Sequence, residues 1–197
     1  MDENIKKTSD DILEVVARAR KLTKEYYLAD YSDNKKRESI LKELFGSIGK
    51  NVIVDSMFHC NFGKNVHIGD NVIININCTL IDDEKITIGN KVLIASNVQL
   101  YTAYHPILPE HRFVDDFEKK GELFFNTCAA PITIEDGVWI GGGAIILPNV
   151  TIGENSVIGA GSVVSRSIPK NCVAVGNPCR PIKYFDDIRE KNKYKNM

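Results

Sequence analysis

The four histidines, His59, His67, His105 and His111, are the side chains of this sequence best suited to act as a general base. An imidazole with an ordinary pKa of about 6.5 is mostly neutral at pH 7 and can accept a proton. His105 lies in the string YTAYHP, residues 101–106, where a regular repeat gives way to a long irregular segment. Functional residues are common where a rigid scaffold meets a loop. Position alone leaves open whether His105 is a base or an ordinary surface histidine.

The cysteines indicate neither a disulfide framework nor a metal centre. Their number is odd, and no two of them are spaced as C-x-x-C. A cysteine zinc site is therefore disfavoured, and we expect reduced, mostly structural thiols and no bound metal. The cysteines are Cys60, Cys78, Cys128, Cys172 and Cys179.

An aliphatic residue recurs at every sixth position in the second half of the chain. Small or β-branched residues form a second ladder, four positions after most members of the first. A period of six fits neither an α-helix nor a free-standing strand alternation, whereas it fits short strands joined by tight turns in a parallel β-helix. The first ladder is Ile134, Ile140, Ile146, Ile152, Ile158 and Val164, and the second is Val138, Ala144, Val150, Ser156 and Ser162.

The same register is present upstream, and two extra residues around Asp82 and Asp83 break its phase. Burying each ladder isoleucine stabilises the fold by roughly 1.5–3 kcal/mol, so stacked columns of them can hold a domain together. Glycines follow several ladder members, where the missing Cβ relieves a corner. The upstream ladder is Phe62, Ile68, Ile74 and Leu80, then Ile88, Ile94 and Leu100, and the corner glycines are Gly69, Gly89, Gly141, Gly153 and Gly159.

The segments on either side of the repeat lack its period. Residues 1–46 have apolar residues at helical spacing, with Thr8 and Asp11 placed as a capping box. The stretch 106–130 is too long for an ordinary connection, so we expect a projecting loop. The predicted organisation is an N-terminal helical segment (1–50), a mainly β domain of parallel β-helix (51–169) and a C-terminal extension (170–197).

Charge and composition narrow the choice of partner. With 25 Lys and Arg against 26 Asp and Glu, the net charge of −1 provides no global field to attract nucleic acid or an anionic membrane. The sequence shows neither a signal-peptide pattern nor an apolar run approaching the roughly 18 residues that span a bilayer. We therefore expect a cytoplasmic protein whose partner is a small molecule.

Five motifs occur in the order and spacing of one family of enzymes. They are NINCT (75–79), DD (82–83), YTAYHP (101–106), WIGG (139–142) and GNPCR (176–180). Over about residues 35–183 the chain resembles the galactoside and maltose O-acetyltransferases, which are hexapeptide-repeat enzymes. The resemblance implies a left-handed β-helix, although parallel crossovers in general favour the right hand. It also implies a homotrimer whose active sites lie between neighbouring β-helices.

The resemblance assigns a role to several side chains. His105 takes the catalytic position, where it would remove the proton of a sugar hydroxyl that attacks the thioester of acetyl-CoA. Asn75 matches an active-site asparagine, whose amide could orient the acceptor or stabilise the developing oxyanion. Asn61 and Asp83 match positions that contact the sugar, although each could equally be a solvated turn residue. Asp10 or Asp11 corresponds weakly to an acceptor-binding aspartate, and helix capping explains this segment as well.

The implied coenzyme site consists of small residues and two cations. Gly142, Ala160 and Ser165 correspond to positions that let the pantetheine arm approach the backbone. Trp139 would flank this arm, or else pack on the repeat face. Arg180 and Lys183 match basic positions near the nucleotide phosphates, where charge-assisted hydrogen bonds form, although a solvated basic tail would look the same.

The stretch between His105 and Pro131 departs from the family because it is longer. It carries five apolar residues that we expect to pack on a neighbouring subunit or over the acceptor pocket, where they could change acceptor choice. They are Phe113, Phe117, Leu123, Phe124 and Phe125. The alternatives are an acetyltransferase acting on an amino sugar or antibiotic, a β-helix hydratase with three imidazoles on zinc, and a non-catalytic trimeric scaffold.

Overall fold

The computed structural model describes residues 9–120 and 122–187. Its helices are α1 Ser9–Leu28, α2 Asn34–Leu44, α3 Pro109–Arg112 and α4 Phe117–Lys120. Its strands are β1 Ser47–Ile48, β2 Ile53–Val54, β3 His59–Cys60, β4 Val66–Ile68, β5 Ile73–Ile74, β6 Thr79–Ile81, β7 Ile86–Ile88, β8 Leu93–Ile94, β9 Gln99–Tyr101, β10 Ala103–Tyr104, β11 Cys128–Ala129, β12 Ile132–Ile134, β13 Trp139–Ile140, β14 Ile145–Ile146, β15 Thr151–Ile152, β16 Val157–Ile158, β17 Val163–Val164, β18 Cys172–Gly176 and β19 Cys179–Tyr184.

Successive strands join three different sheets in rotation, so the chain winds around a prism. Sheet I contains β1, β4, β7, β12 and β15, and sheet III contains β3, β6, β9, β14 and β17. Sheet II contains β2, β5, β8, β13, β16 and β18, all paired in parallel, with β19 antiparallel on β18. The result is a β-solenoid of about six turns, which confirms the prediction of a parallel β-helix.

Both predicted ladders form the interior of the prism. Every member from Ile134 to Val164 and from Val138 to Ser162 is buried. The predicted position of Phe62 in the upstream ladder is wrong, because Cys60 pairs with Leu80 and occupies that column. The corner after Cys60 contains two extra residues, as does the corner after Leu80, and Phe62 lies within the first of these corners.

Close stacking of the coils explains the corner glycines. A Cβ on Gly69 would come within 2.8 Å of the Gly89 carbonyl carbon, and one on Gly141 within 2.6 Å of the Ala160 nitrogen. Real Cβ atoms do not approach backbone this closely, so a side chain would force the coils apart. Glycine is therefore required here for the coil spacing.

Two helices close the N-terminal end of the prism. Helix α1 buries Ala19, Leu22 and Tyr26, and α2 buries Ile40, Leu41 and Leu44, as the apolar spacing predicted. Asp33 caps α2 by accepting a hydrogen bond from the Lys36 nitrogen. Of the proposed capping pair, Thr8 lies outside the described residues, and Asp11 belongs to α1 but its side chain is not among those described.

Strand pairing reaches beyond the expected limits of the β-helix on both sides. β1 pairs with β4 before residue 50, and β18 continues sheet II after residue 169. The 106–130 stretch leaves the prism between β10 and β11, which pair antiparallel at its base.

All five cysteines are free. Among the described residues, no helix combines the length and the apolar character needed to cross a membrane.

Candidate active site

The predicted site residues lie on two edges of the prism. The corner between sheets II and III carries Asn75, Gly142 and Ala160, which follow β5, β13 and β16. The corner between sheets III and I carries the 106–130 stretch with His105, and also Ser165 after β17. We call these the II–III edge and the III–I edge. Sheet III separates the two edges within one chain.

His105 is held by a backbone carbonyl from the far end of the long loop. Its Nδ1 lies 2.8 Å from the Asn126 oxygen. A carbonyl can only accept, so Nδ1 carries the proton and Nε2 is left as the ring's free proton acceptor. The ring also packs edge-on against Phe125, with centroids 5.5 Å apart. Nε2 is the atom that a general base needs.

Asn126 in turn is fixed by the loop that contains it. Its nitrogen donates to the Arg112 oxygen at 2.7 Å, and its side-chain amide donates to the His111 oxygen at 2.9 Å. Arg112 reaches back to the start of the loop, where Nε donates to the Pro106 oxygen at 2.8 Å. The loop is thus tied to itself at the point where it contacts His105. Asn126 could not be recognised from the sequence, since its role depends on a backbone atom.

His105 lines a cavity of about 580 Å³ at the III–I edge. Asn61 and Asp83 also line it, so the structure brings together three of the predicted site residues. The remaining wall is largely apolar and includes loop residues predicted to cover the acceptor site. The apolar lining residues are Ile12, Val16, Phe62, Ile81, Ala103, Val114, Leu123 and Phe125.

The polar wall of the cavity rests on a buried carboxylate. Asn61 Nδ2 donates to Asp83 Oδ2 at 2.7 Å, which joins two successive coils. Beneath this pair Asp82 is fully buried, and its Oδ1 accepts hydrogen bonds from the Asn61 and Phe62 nitrogens, both at 2.9 Å. Burial raises the pKa of Asp82 to about 6, against the opposing effect of bonds from the Phe62, Asn65 and Asn61 nitrogens.

Asp82 was recognised from the sequence only as part of a motif and a break in phase. Its carboxylate ties the 61–65 corner to the next coil, and Asn65 Nδ2 donates to the Asp82 oxygen at 2.7 Å. Asp82 therefore holds the corner from which Asn61 extends. A charged residue at a phase break was the available signal.

Asn75 lies away from this cavity. The described residues that line the cavity do not include it, and it is half-buried on the II–III edge. Its Oδ1 accepts hydrogen bonds from the Ile76 nitrogen at 2.7 Å and from Ser96 Oγ at 2.9 Å. One chain alone therefore does not place Asn75 beside His105.

The residues predicted to bind the coenzyme are spread over several surfaces. Gly142 and Ala160 are on the II–III edge, where the Gly161 nitrogen donates to the Gly142 oxygen at 2.9 Å. A Cβ built on the neighbouring Gly143 or on Gly161 would meet nothing within 4 Å, so this edge is open. An extended chain fits against such a surface because its backbone is accessible.

The other three predicted coenzyme residues lie farther apart. Trp139 is on the outer face of sheet II and is 51% exposed. Arg180 and Lys183 are exposed on β19, at the C-terminal end of sheet II. Neighbouring strands are roughly 4.8 Å apart and β19 is three strands from β13, so these cations lie roughly 14 Å beyond the coil of Gly142.

Asp10 and Asp11 belong to α1, but their side chains lie outside the described part of the structure. The helix that carries them contributes Ile12 and Val16 to the cavity wall.

Among residues 9–120 and 122–187, no three His, Cys, Asp or Glu side chains are grouped to hold a metal ion. His67, for example, bonds through Nδ1 with Ser47 Oγ at 3.0 Å on sheet I.

The faces of this parallel β-helix repeat every six residues, which is the pattern of the hexapeptide-repeat proteins. Family models agree: residues 131–166 match "Bacterial transferase hexapeptide (six repeats)" and residues 9–49 match "Maltose acetyltransferase hexapeptide capping motif". Galactoside O-acetyltransferase of Escherichia coli K12 is 45% identical over 177 residues, covering 90% of this chain and 82% of that protein.

Solved structures give the same result. A maltose O-acetyltransferase from Clostridium difficile 630 is 45% identical with a TM-score of 0.79, and the match covers 88% of this chain and 87% of that one. A galactoside acetyltransferase in complex with coenzyme A is 41% identical with a TM-score of 0.79, covering 91% and 84%. The chain belongs to the hexapeptide-repeat acetyltransferases, in the group of the galactoside and maltose O-acetyltransferases.

Proposed function

We propose that the protein transfers the acetyl group of acetyl-CoA to a hydroxyl of a sugar or glycoside, with His105 as general base. The observation that carries this proposal is the hydrogen bond between His105 Nδ1 and the Asn126 oxygen. It leaves Nε2 as proton acceptor on a residue that lines a cavity with Asn61 and Asp83. Two relatives are named as a galactoside O-acetyltransferase and a maltose O-acetyltransferase, and these names support a sugar acceptor.

The reaction follows from these groups. Nε2 of His105 takes the proton of the acceptor hydroxyl as its oxygen attacks the thioester carbonyl. The new C–O bond forms, the C–S bond breaks, and the coenzyme thiolate leaves with a proton that the imidazolium returns. The Asn126 oxygen stabilises the positive charge on the ring while the proton is held there. Asn61 and Asp83 would orient the acceptor through its other hydroxyls.

The separation of the two edges supports a site shared between subunits. Asn75, Gly142 and Ala160 lie on the II–III edge, whereas His105 and Ser165 lie on the III–I edge. A groove formed by the II–III edge of one subunit and the III–I edge of its neighbour would contain all of them. In that groove the Asn75 amide would donate to the oxyanion that develops on the thioester oxygen.

The outer face of sheet II supplies the contact surface for such an assembly. Ile53, Ile73, Leu93 and Trp139 are cross-strand neighbours, and each is more than a third exposed. Sheet I presents polar side chains at the equivalent positions, such as Thr87 and Thr133. A continuous apolar column on one face of three favours burial against another copy, and a cyclic homotrimer buries every such face equally.

The coenzyme would lie along the open II–III edge. Gly142 and Ala160 leave the backbone accessible to the pantetheine arm, with Ser165 contributed from the facing edge. Arg180 and Lys183 would bind phosphates beyond the last coils, because both are exposed cations on the same side of the solenoid's C-terminal end. A related structure contains coenzyme A, which supports this use of the groove.

A thiol-release assay with a panel of acceptors tests the proposal. Purified protein is incubated with acetyl-CoA and methyl β-galactoside, maltose or glucosamine, and mass spectrometry locates the added acetyl group. We expect acceptor-dependent release of coenzyme A and an ester on a sugar oxygen. Release only with glucosamine, and an amide product, would instead identify an amino-sugar enzyme. No acceptor-dependent release and no binding of acetyl-CoA would leave the scaffold alternative.

A further inference from the structure

We propose that Ser96 is a positioning residue of the acetyl transfer, which fixes the orientation of the Asn75 amide so that its NH₂ group faces the substrates. This inference rests on the proposed function, in which Asn75 acts as a hydrogen-bond donor. Ser96 belongs to none of the motifs that identify the family, and it does not need to touch a substrate to have this effect.

The chemistry of the two bonds determines which way the amide is turned. The Ile76 backbone N–H lies 2.7 Å from Asn75 Oδ1, and an N–H can only donate. The atom that faces it must therefore be the carbonyl oxygen and not the NH₂ group. Ser96 Oγ, at 2.9 Å, donates its proton to the same oxygen. Both lone-pair directions of Oδ1 are then occupied, and Nδ2 remains available as a donor.

The backbone bond alone is an ordinary feature of this edge. One coil earlier, Asp55 occupies the equivalent position and accepts from the Ser56 nitrogen at 2.7 Å. The bond from Ser96 differs because it crosses from one coil to the next. It joins Asn75 to the rigid stack, whereas a bond between adjacent residues still lets the side chain rotate with its own corner.

Ser96 is itself held firmly by the solenoid. The Asn97 nitrogen donates to the Ile76 oxygen at 3.1 Å, and the Gly143 nitrogen donates to the Ser96 oxygen at 2.9 Å. Ser96 thus lies between the coil of Asn75 and the coil of Gly142. A Cβ on Gly142 would come within 3.3 Å of the Ser96 backbone oxygen, so the backbone of Ser96 lies beside the proposed coenzyme edge.

A donor fixed in advance stabilises developing charge without reorganising in the transition state. Loss of the Ser96 hydroxyl would let the amide turn, and part of the population would then present Oδ1 to the oxyanion. The effect should appear in kcat and not in the binding of acetyl-CoA, because the ground-state thioester carries little negative charge on its oxygen.

The test is a double-mutant cycle on the trimeric enzyme, with acetyl-CoA and methyl β-galactoside or maltose as probes. We expect Ser96→Ala to lower kcat by about two- to tenfold, the size expected for one hydrogen bond, with KM for acetyl-CoA unchanged. Asn75→Ala should lower kcat more, by about 10²-fold or above, because it removes the oxyanion donor itself. The double variant should match Asn75→Ala, because Ser96 acts through Asn75.

Two further variants separate positioning from general stability. Ser96→Thr keeps the hydroxyl and should restore most of kcat. Ser47→Ala removes a hydroxyl that bonds His67 on sheet I, and it should leave kcat unchanged. Multiplicative losses in the double variant, or an equal loss in Ser47→Ala, would overturn the role of Ser96. An Asn75→Ala enzyme with full kcat would instead refute the proposed role of Asn75, which makes the two failures distinguishable.

Discussion

Replacing Asp82 with asparagine should change how stability depends on pH by an amount that follows from its burial. Asp82 has no exposed surface, and burial raises its pKa from 3.8 to about 6. A difference of about two pKa units corresponds to about 3 kcal/mol between the charged and neutral forms. The buried charge therefore costs the folded protein about this much at neutral pH.

The sign follows from the direction of the shift. A carboxyl whose folded pKa is raised binds its proton more readily in the folded state, so its relative contribution is fully present below pH 3.8. That contribution is lost as pH rises through about 6. Cys60, which is close enough to interact with Asp82, stays neutral throughout because burial raises its pKa to about 12. Asparagine cannot titrate, and it keeps an oxygen for the Asn61 and Phe62 nitrogens.

The assay is urea unfolding of the wild type and Asp82→Asn at several pH values between 4.5 and 7.5. The free energy of unfolding of Asp82→Asn is subtracted from that of the wild type at each pH, which cancels the effect of every titrating group that the two proteins share. As the pH falls from 7.5 to 4.5, the difference in unfolding free energy should change by about 2 kcal/mol in favour of the wild type, because the full change of about 3 kcal/mol is reached only below pH 3.8. A difference that stays constant over this range would refute the raised pKa of Asp82 in the folded protein.

Three other predictions concern assembly and binding. Light scattering at assay concentration should show a trimer, and Trp139→Asp should dissociate it by placing a charge in the apolar column of sheet II; a fully active wild-type monomer would contradict the shared site. Removing the charges of Arg180 and Lys183 should raise KM for acetyl-CoA at low salt, with a smaller effect at high salt, and an unchanged KM at low salt would exclude both as phosphate ligands. Shortening residues 114–123, with Arg112, Phe125 and Asn126 kept to hold His105, should change the ranking of acceptors while acetyl-CoA binding is nearly intact, whereas equal losses for every acceptor in a folded protein would argue against control of the acceptor by the loop.

The fold was predictable because each coil repeats the same local requirement. An inward aliphatic such as Ile140 packs on the equivalent residue of the coils above and below it, so the buried column appears in the sequence as a strict period. The error at Phe62 has the same origin. Corners with two extra residues follow both Cys60 and Leu80. Phe62 lies inside the first of these corners and happens to be six positions before Ile68, so it matched the period without belonging to the buried column.

The contacts within the site were not predictable in the same way. The bond from His105 to the Asn126 oxygen joins residues 21 positions apart through a backbone atom, so no side-chain pattern records it. The burial of Asp82 depends on how the 61–65 corner folds over the next coil. Asn75 and His105 were assigned together by resemblance, and only the three-sheet geometry shows that they lie on different edges.

The measurement that tests the central proposal most directly is the pH dependence of kcat/KM for wild type and His105→Ala. If Nε2 is the base, kcat/KM of the wild type should rise with pH across the range in which imidazole loses its proton. His105→Ala should lower kcat by about 10²–10⁴ and lose this rise, with trimer assembly and acetyl-CoA affinity close to wild type. His67→Ala on sheet I is the matched control and should keep both. A His105→Ala enzyme that retains more than about a tenth of the activity, with the same rise, would exclude His105 as the general base.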